Sequence, residues 1–271
     1  MPAAGAGEGS PPVTPSYPEL RDAVVLITGA GRGIGKGIAL AFGRQGARVV
    51  VNDLDPSLAA GTVGEIGAAG GQGEAMLADV GDPDAGRQLV ADVLVKHGRL
   101  DILVANAGIN PTASLLDLSQ ETWERVQRTN AWSLFHCGQP AARHMAERGG
   151  GSIVVIGSPA ASETYAGQAH YATAKAALQM LAWGWAWELG GAGVRTNVVH
   201  PGWIETELNR EYLWADQSLR ERVVRQIPLG RTGVPDDVAD VVVWLCTHGA
   251  RYVNGASLAV DGGLVVGRLK A

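Results

Sequence analysis

A single α/β domain built on one parallel, doubly wound sheet (a Rossmann-type fold) is what this sequence predicts, on three observations. Short apolar, β-branched runs alternate with helical stretches of about 10 to 20 residues. A glycine-rich turn follows the first such run and opens a helix. From element to element the composition does not break, and no repeat of solenoid period is visible, so most of the 271 residues read as one unit. The balance is that of a soluble globular enzyme: 46% hydrophobic, 18% charged, with net charge −5 from 22 basic and 27 acidic residues. It has no basic excess to attract nucleic acid. No apolar run approaches the roughly 18 residues that suggest a membrane span. Cys137 and Cys246 lack disulfide-framework or metal-ligand spacing. A reducing, cytoplasmic setting is therefore expected, without a metal site.

Met1 to Ser16 lack the basic start and apolar core of a signal peptide. They read as a disordered Pro/Gly-rich leader, assigned to residues 1–18, with the domain over 19–271. Strands are expected at Ala23 to Ile27, Arg48 to Val51, Gly73 to Leu77, Asp101 to Val104, Ser152 to Ile156, Arg195 to Val199 and Ser257 to Val260. Between them, helices are expected over Lys36 to Gln45, Pro56 to Ala69 and Asp82-Pro83 to about His97. Pro83 suits a first helical position. A longer helix is read from Leu118-Ser119 through Trp132 to Met145, another carries Tyr171 and Lys175, and a last one spans Val238 to Cys246.

The turn is Thr28 to Gly35, with glycines at Gly29, Gly33 and Gly35 around Arg32 and Ile34. Glycines let backbone approach a pyrophosphate, and a helix N-terminus favours anions. A glycine-rich corner of this kind is also found where a chain merely turns tightly. Asp53 closes the second strand, 24 residues after Gly29, with Leu54 beside it. A carboxylate there can accept bonds from ribose hydroxyls and would repel a 2′-phosphate, which favours NAD. Arg32 pulls toward NADP, because a guanidinium welcomes that phosphate.

Tyr171 and Lys175 lie four residues apart in an Ala-rich stretch. In a helix they share a face, about 6 Å apart along the axis. Lowering a tyrosine from near 10 to about 7 takes roughly 4 kcal/mol, and a lysine one turn away could supply much of it. An ordinary surface Tyr and Lys fits the same loose pattern.

With these residues in hand, the chain resembles the short-chain dehydrogenase/reductase family from about Leu20 to Gly263. Thr28 to Gly35 matches T-G-x-x-x-G-x-G, Asn106-Ala107-Gly108 its Asn-Ala-Gly motif, and Tyr171 to Lys175 its Y-x-x-x-K. Asn130 and Ser158 match the remaining catalytic positions, with Pro201-Gly202, Thr206 and Asp261-Gly262-Gly263 further on. The resemblance implies hydride transfer between a nicotinamide and a secondary alcohol or ketone, without a metal. It implies Tyr171 as acid/base, Ser158 as hydrogen-bond partner of the reacting oxygen, and Lys175 lowering the tyrosine and binding the nicotinamide ribose. Asn130 would hold a relay water where the helix kinks. Asp79-Val80 would contact adenine, Asn106 to Gly108 would line the ribose side, and Ile204 and Thr206 would hold the carboxamide. The family's habit of pairing subunits in a dimer of dimers implies a homotetramer.

Gly157 stands where a second serine is common, and Pro159 follows Ser158, which reshapes the pocket floor. Ala105 and Thr173 are milder departures. His170 and His200 border the site and read as packing residues. The small-molecule substrate should meet Ser158, Tyr171, Pro159 and Trp203, with Glu163 and Asn110 as further wall candidates. A lid near residues 203–226 is expected, carrying Tyr212 and Trp214. Trp183 and Trp187 should share one face of the Tyr171 helix, with Trp185 opposite. Two alternatives remain: an NADPH-dependent reductase of 3-oxoacyl thioesters, and a non-catalytic dinucleotide sensor. The intact Ser158, Tyr171, Lys175 and Asn130 speak against the second.

Overall fold

Successive side chains of a strand point to opposite faces, so a central sheet rich in Val and Ile needs cover on both sides. The computed structural model, which describes residues 15–207, 209–210 and 216–268, has that arrangement. Seven strands, β1 (Val24–Ile27), β2 (Arg48–Asp53), β3 (Gln72–Leu77), β4 (Ile102–Ala105), β5 (Gly151–Ile156), β6 (Val194–Pro201) and β7 (Ser257–Val260), form one sheet ordered β3-β2-β1-β4-β5-β6-β7. Every pairing is parallel.

On one face Val25, Ile27, Val49 and Val51 pack against α1 (Gly33–Arg44) and α8 (Pro235–Leu245) through Ile38, Phe42, Val238 and Val242. On the other, Val24, Leu26, Leu103 and Val155 meet α3 (Pro83–His97), α5 (Ser133–Glu147) and α6 (Ala169–Leu189) through Val90, Met145 and Leu178. Alternate residues of each strand thus feed separate cores. Helix α2 (Pro56–Ala68) starts on Asp55, whose carboxylate accepts the Ser57 and Leu58 N–H groups. Asp82 does the same for α3, which ends on Gly98 at φ 67°.

The long helix read from Leu118-Ser119 to Met145 is in three pieces, interrupted around Asn130, where the resemblance implied a kink. Ser119 caps α4 (Gln120–Gln127), the chain widens into a π-helical turn over Arg128–Trp132, and α5 follows. The cause is Asn130, whose amide is drawn across to the backbone of Ile109. Helix α8 begins before the expected Val238, because Pro235 suits a first turn and Asp237 accepts the Val234 N–H at 2.8 Å. Helix α7 (Gln217–Arg225), capped by Asp216, is additional, as is the short α9 (Leu264–Arg268).

Pro15 to Pro18, counted with the leader, are held against the end of α1: the Gln45 side chain accepts the Tyr17 N–H and donates to the Pro15 carbonyl, each at 2.9 Å. Residues 1–14 lie outside the described residues, as do Tyr212 and Trp214. Among the described residues no helix is long and apolar enough to cross a membrane.

Candidate active site

Beyond β1 and β4 the chain leaves the sheet in opposite directions, which opens a crevice at the carboxyl ends of the strands. A cavity of about 420 Å³ lies there. Its first wall is the turn after β1. A Cβ on Gly35 would lie 2.3 Å from the Gly29 carbonyl oxygen, and one on Gly29 2.9 Å from the Ala107 backbone. Gly29 and Gly33 have φ of +62° and +57°. Thr28 holds the facing segment, its hydroxyl accepting the Asn106 and Ala107 N–H groups at 3.0 and 3.1 Å. The Asn106 amide donates back to the Thr28 and Gly29 carbonyls, both at 2.9 Å. Arg32, Ile34, Leu54, Asp79, Val80, Ala107 and Gly108 complete this side. Asp79 accepts the Gly81 N–H, and Val80 is fixed by His136 on its carbonyl.

Asp53 turns inward: one carboxylate oxygen accepts the Gly31 N–H at 2.9 Å and the other the Asp55 N–H at 3.1 Å. Gly31, which the glycine spacing left out, is obligatory here, since a Cβ would lie 2.7 Å from that carboxylate. A side-chain-free cradle at a helix N-terminus with a carboxylate at its rim fits a dinucleotide, pyrophosphate on the turn and ribose hydroxyls on Asp53.

At the far end of the crevice stand Ser158, just past β5, and Tyr171 and Lys175, both in α6. The Ser158 hydroxyl accepts the Ala160 N–H at 3.2 Å, leaving its own proton to donate into the crevice that Tyr171 also lines. Lys175, only 4% exposed, donates to the Ile156 carbonyl at 2.8 Å, with its Nζ 5.7 Å from the Tyr171 ring centre. Asn130 accepts the Ile109 N–H and donates to the Ile109 carbonyl, both at 2.7 Å. Gly108 leaves room for it, since a Cβ there would lie 2.8 Å from the Asn130 oxygen.

Burial sets the charge states. It lowers Lys175 from an ordinary 10.5 to about 8, and it raises the Tyr171 phenol above its ordinary 10, with the Ser158 hydroxyl opposing. In this cleft burial is the largest influence on both groups, and the Lys175 hydrogen bond goes to the Ile156 carbonyl.

Pro201 and Gly202 bring the chain back under the crevice, where a Cβ on Gly202 would lie 2.7 Å from Asp261. Asp261 in turn accepts the Gly263 and Val265 N–H groups, the structural work of the Asp-Gly-Gly segment. Ile204 is buried on the cavity wall, and Thr206 leans over the α1 N-terminus, 3.2 Å from where a Gly33 Cβ would be. Asn110 lines the cavity, whereas Pro159, Glu163 and Trp203 do not. Pro159 opens a 3-10 turn, Glu163 accepts the Tyr165 hydroxyl, and Trp203 packs with Val223, Ile227 and Leu264. The sequence reading missed Thr129, Glu207 and Asn209, which also line the cavity. The Glu207 carboxylate accepts the Gly33 N–H at 3.1 Å, and Asn209 staples the segment by accepting the Thr206 N–H at 2.8 Å. Only the T-x-x-N spacing hinted at Asn209, and nothing local signalled Glu207.

Comparison with known proteins matches the geometry. The profile of a family described as enoyl-(acyl carrier protein) reductase covers residues 29–265. The chain is 44% identical over 252 residues to an L-rhamnose 1-dehydrogenase (NAD(P)(+)) of Azotobacter vinelandii, covering 91% of this chain and 98% of the relative. It is 36% identical to a 3-oxoacyl-(acyl-carrier-protein) reductase of Thermotoga maritima, covering 91% and 99%. A gluconate 5-dehydrogenase of Burkholderia cenocepacia, solved with NADP and tartrate, superposes with a TM-score of 0.86 at 33% identity, covering 92% and 98%. A dinucleotide cradle and a Ser-Tyr-Lys cluster on one crevice, in relatives that are dehydrogenases and reductases, have one common explanation: the chain belongs to the short-chain dehydrogenase/reductase family and is an NAD(P)-dependent oxidoreductase acting on CH–OH groups.

Proposed function

We propose that this enzyme oxidises a ring hydroxyl of a small sugar, with an aldose of the L-rhamnose type as first candidate and NAD as preferred cofactor. The observation that carries the chemistry is the convergence of Ser158, Tyr171 and Lys175 on the crevice that also holds Asp53 and the glycine cradle. The sugar assignment rests on the likeness to the Azotobacter vinelandii enzyme. A bound nicotinamide would supply the acceptor for the hydride leaving the carbinol carbon. Tyr171 takes the hydroxyl proton, and Ser158 donates a hydrogen bond to the same oxygen as its charge develops. Lys175 faces the tyrosine to favour its anion and offers N–H groups to ribose hydroxyls, and Asn130 holds the proton path beside it. Asp53 disfavours a 2′-phosphate, which supports NAD.

Turnover of L-rhamnose, gluconate and a 3-hydroxyacyl thioester with NAD+ and NADP+ tests this. The expected result is the highest kcat/KM with L-rhamnose and NAD+, falling about 10² to 10⁴-fold in Tyr171→Phe. Highest turnover on the thioester with NADP+ would select the second reading, which the Thermotoga maritima relative favours. A cytoplasmic homotetramer completes the proposal. Its support is an exposed apolar face on α6, where Trp187 is 90% exposed beside Trp183 and Met180.

A further inference from the structure

We propose that His200 is a positioning residue that aims Ser158, an inference that rests on the role given to Ser158 above. Strand pairing between β5 and β6 runs from Gly151 to Ile156, and its last rung is the Gly157 N–H on the Val199 carbonyl at 2.7 Å. One residue later Ser158 has left the sheet, and its backbone needs another anchor. The His200 imidazole, 8% exposed on β6, provides it: Nδ1 lies 3.0 Å from the Ser158 nitrogen and 2.8 Å from the Ser158 oxygen.

One ring nitrogen either accepts or donates, and the surroundings decide which. The Ser158 carbonyl already receives the Ala161 N–H at 3.0 Å. The Ser158 N–H is left for Nδ1 to accept, which requires the neutral tautomer with its proton on Nε2. Burial, aided by the nearby Lys175 ammonium, holds the imidazole below its ordinary value, which favours that neutral form.

Position 157 is fitted to this ring. A Cβ on Gly157 would lie 2.6 Å from Nδ1, 2.7 Å from Cε1 and 2.9 Å from a Val198 methyl. The glycine that replaces the expected serine before Ser158 is thus the space the imidazole needs. His200, Gly157 and the Ser158 backbone form one unit, whose product is the direction of the Ser158 hydroxyl.

The test compares His200→Leu, which keeps bulk but no acceptor, with His200→Asn, whose side-chain oxygen can take the place of Nδ1. The substrate is the best alcohol of the panel above, and NADH binding checks that the cofactor site is intact. In His200→Leu, kcat should fall about 10 to 100-fold, the range for a misplaced reacting group, with NADH affinity unchanged. His200→Asn should recover most of that loss. In a Ser158→Ala background His200→Leu should cost nothing further, because its effect passes through the lost hydroxyl. Independently of turnover, hydrogen exchange at the Ser158 amide should speed up in His200→Leu and stay slow in His200→Asn. Wild-type kcat in His200→Leu, an equal loss in His200→Asn, the full loss in the Ser158→Ala background, or unchanged exchange would each overturn the proposal. Full turnover in Ser158→Ala alone would instead overturn the reading of Ser158, and the exchange result would still judge His200.

Discussion

Lys175 shows what a working side chain costs its protein. Its ammonium is buried and lowered from 10.5 to about 8. At about 1.36 kcal/mol per unit, that depression is roughly 3 kcal/mol of stability forgone at neutral pH. The sign follows from proton counting. Between about 8 and 10.5 the unfolded chain holds the proton more often than the folded one, so raising pH through that window stabilises the fold. The contribution is full above 10.5 and lost as pH falls through 8. Lys175→Met should therefore be inactive yet more stable than wild type at pH 7, by about 1–3 kcal/mol in urea unfolding. The gap should narrow as pH rises toward 10. A variant less stable at pH 7 would show that the Ile156 hydrogen bond outweighs desolvation. That Tyr171 and Lys175 share a helix face was readable from their spacing, and their pairing as a site only with the motifs around them. The direction of their shifts was not, because desolvation depends on everything packed around them.

Helix α1 carries the proposed cofactor cradle at its N-terminus, where unpaired N–H groups and the helix dipole draw anions. In this structure the Glu207 carboxylate takes the Gly33 N–H. A carboxylate there competes with a pyrophosphate for the same field, worth about 0.3–1 kcal/mol. Glu207→Gln should tighten NADH about two- to fivefold, read by fluorescence titration, with weaker salt dependence. Weaker binding would mean that Glu207 helps to hold the cofactor. The glycine turn itself was legible, because a strand, glycines and a helix follow one another locally. Glu207 is 174 residues from Gly33 and came into view only when the segment after β6 folded back over α1. The π-helical turn has a long-range origin too, although the family resemblance implied a kink at Asn130. Residues 128–132 carry no helix breaker, and the turn widens because Asn130 reaches Ile109, 21 residues away.

At the scale of the molecule, the two faces of α6 meet different surroundings. Trp185 packs so closely on α5 that a Cβ on Gly138 would lie 2.4 Å from its ring, while Trp183, 40% exposed, donates to the Ser257 hydroxyl at 3.2 Å and Trp187 faces solvent. A second subunit would cover that outer face, so light scattering at micromolar concentration should give a tetramer, and Trp187→Glu should break it into smaller species with the fold intact. A monomeric wild type would end that reading. The opposite placing of Trp185 followed from helical period, and the parallel sheet from the alternation of Val- and Ile-rich runs with helices that cover both faces. Those are short-range properties: a side chain's neighbours in a strand or helix are set by sequence spacing. The tertiary structure decided what distant segments do to one another. It moved Pro159, Glu163 and Trp203 off the cavity wall, put Glu207 on the cradle, and set His200 behind Ser158 in the space left by Gly157. Those placements depend on how the β5 and β6 ends and the segment after β6 pack, a geometry that no local spacing encodes.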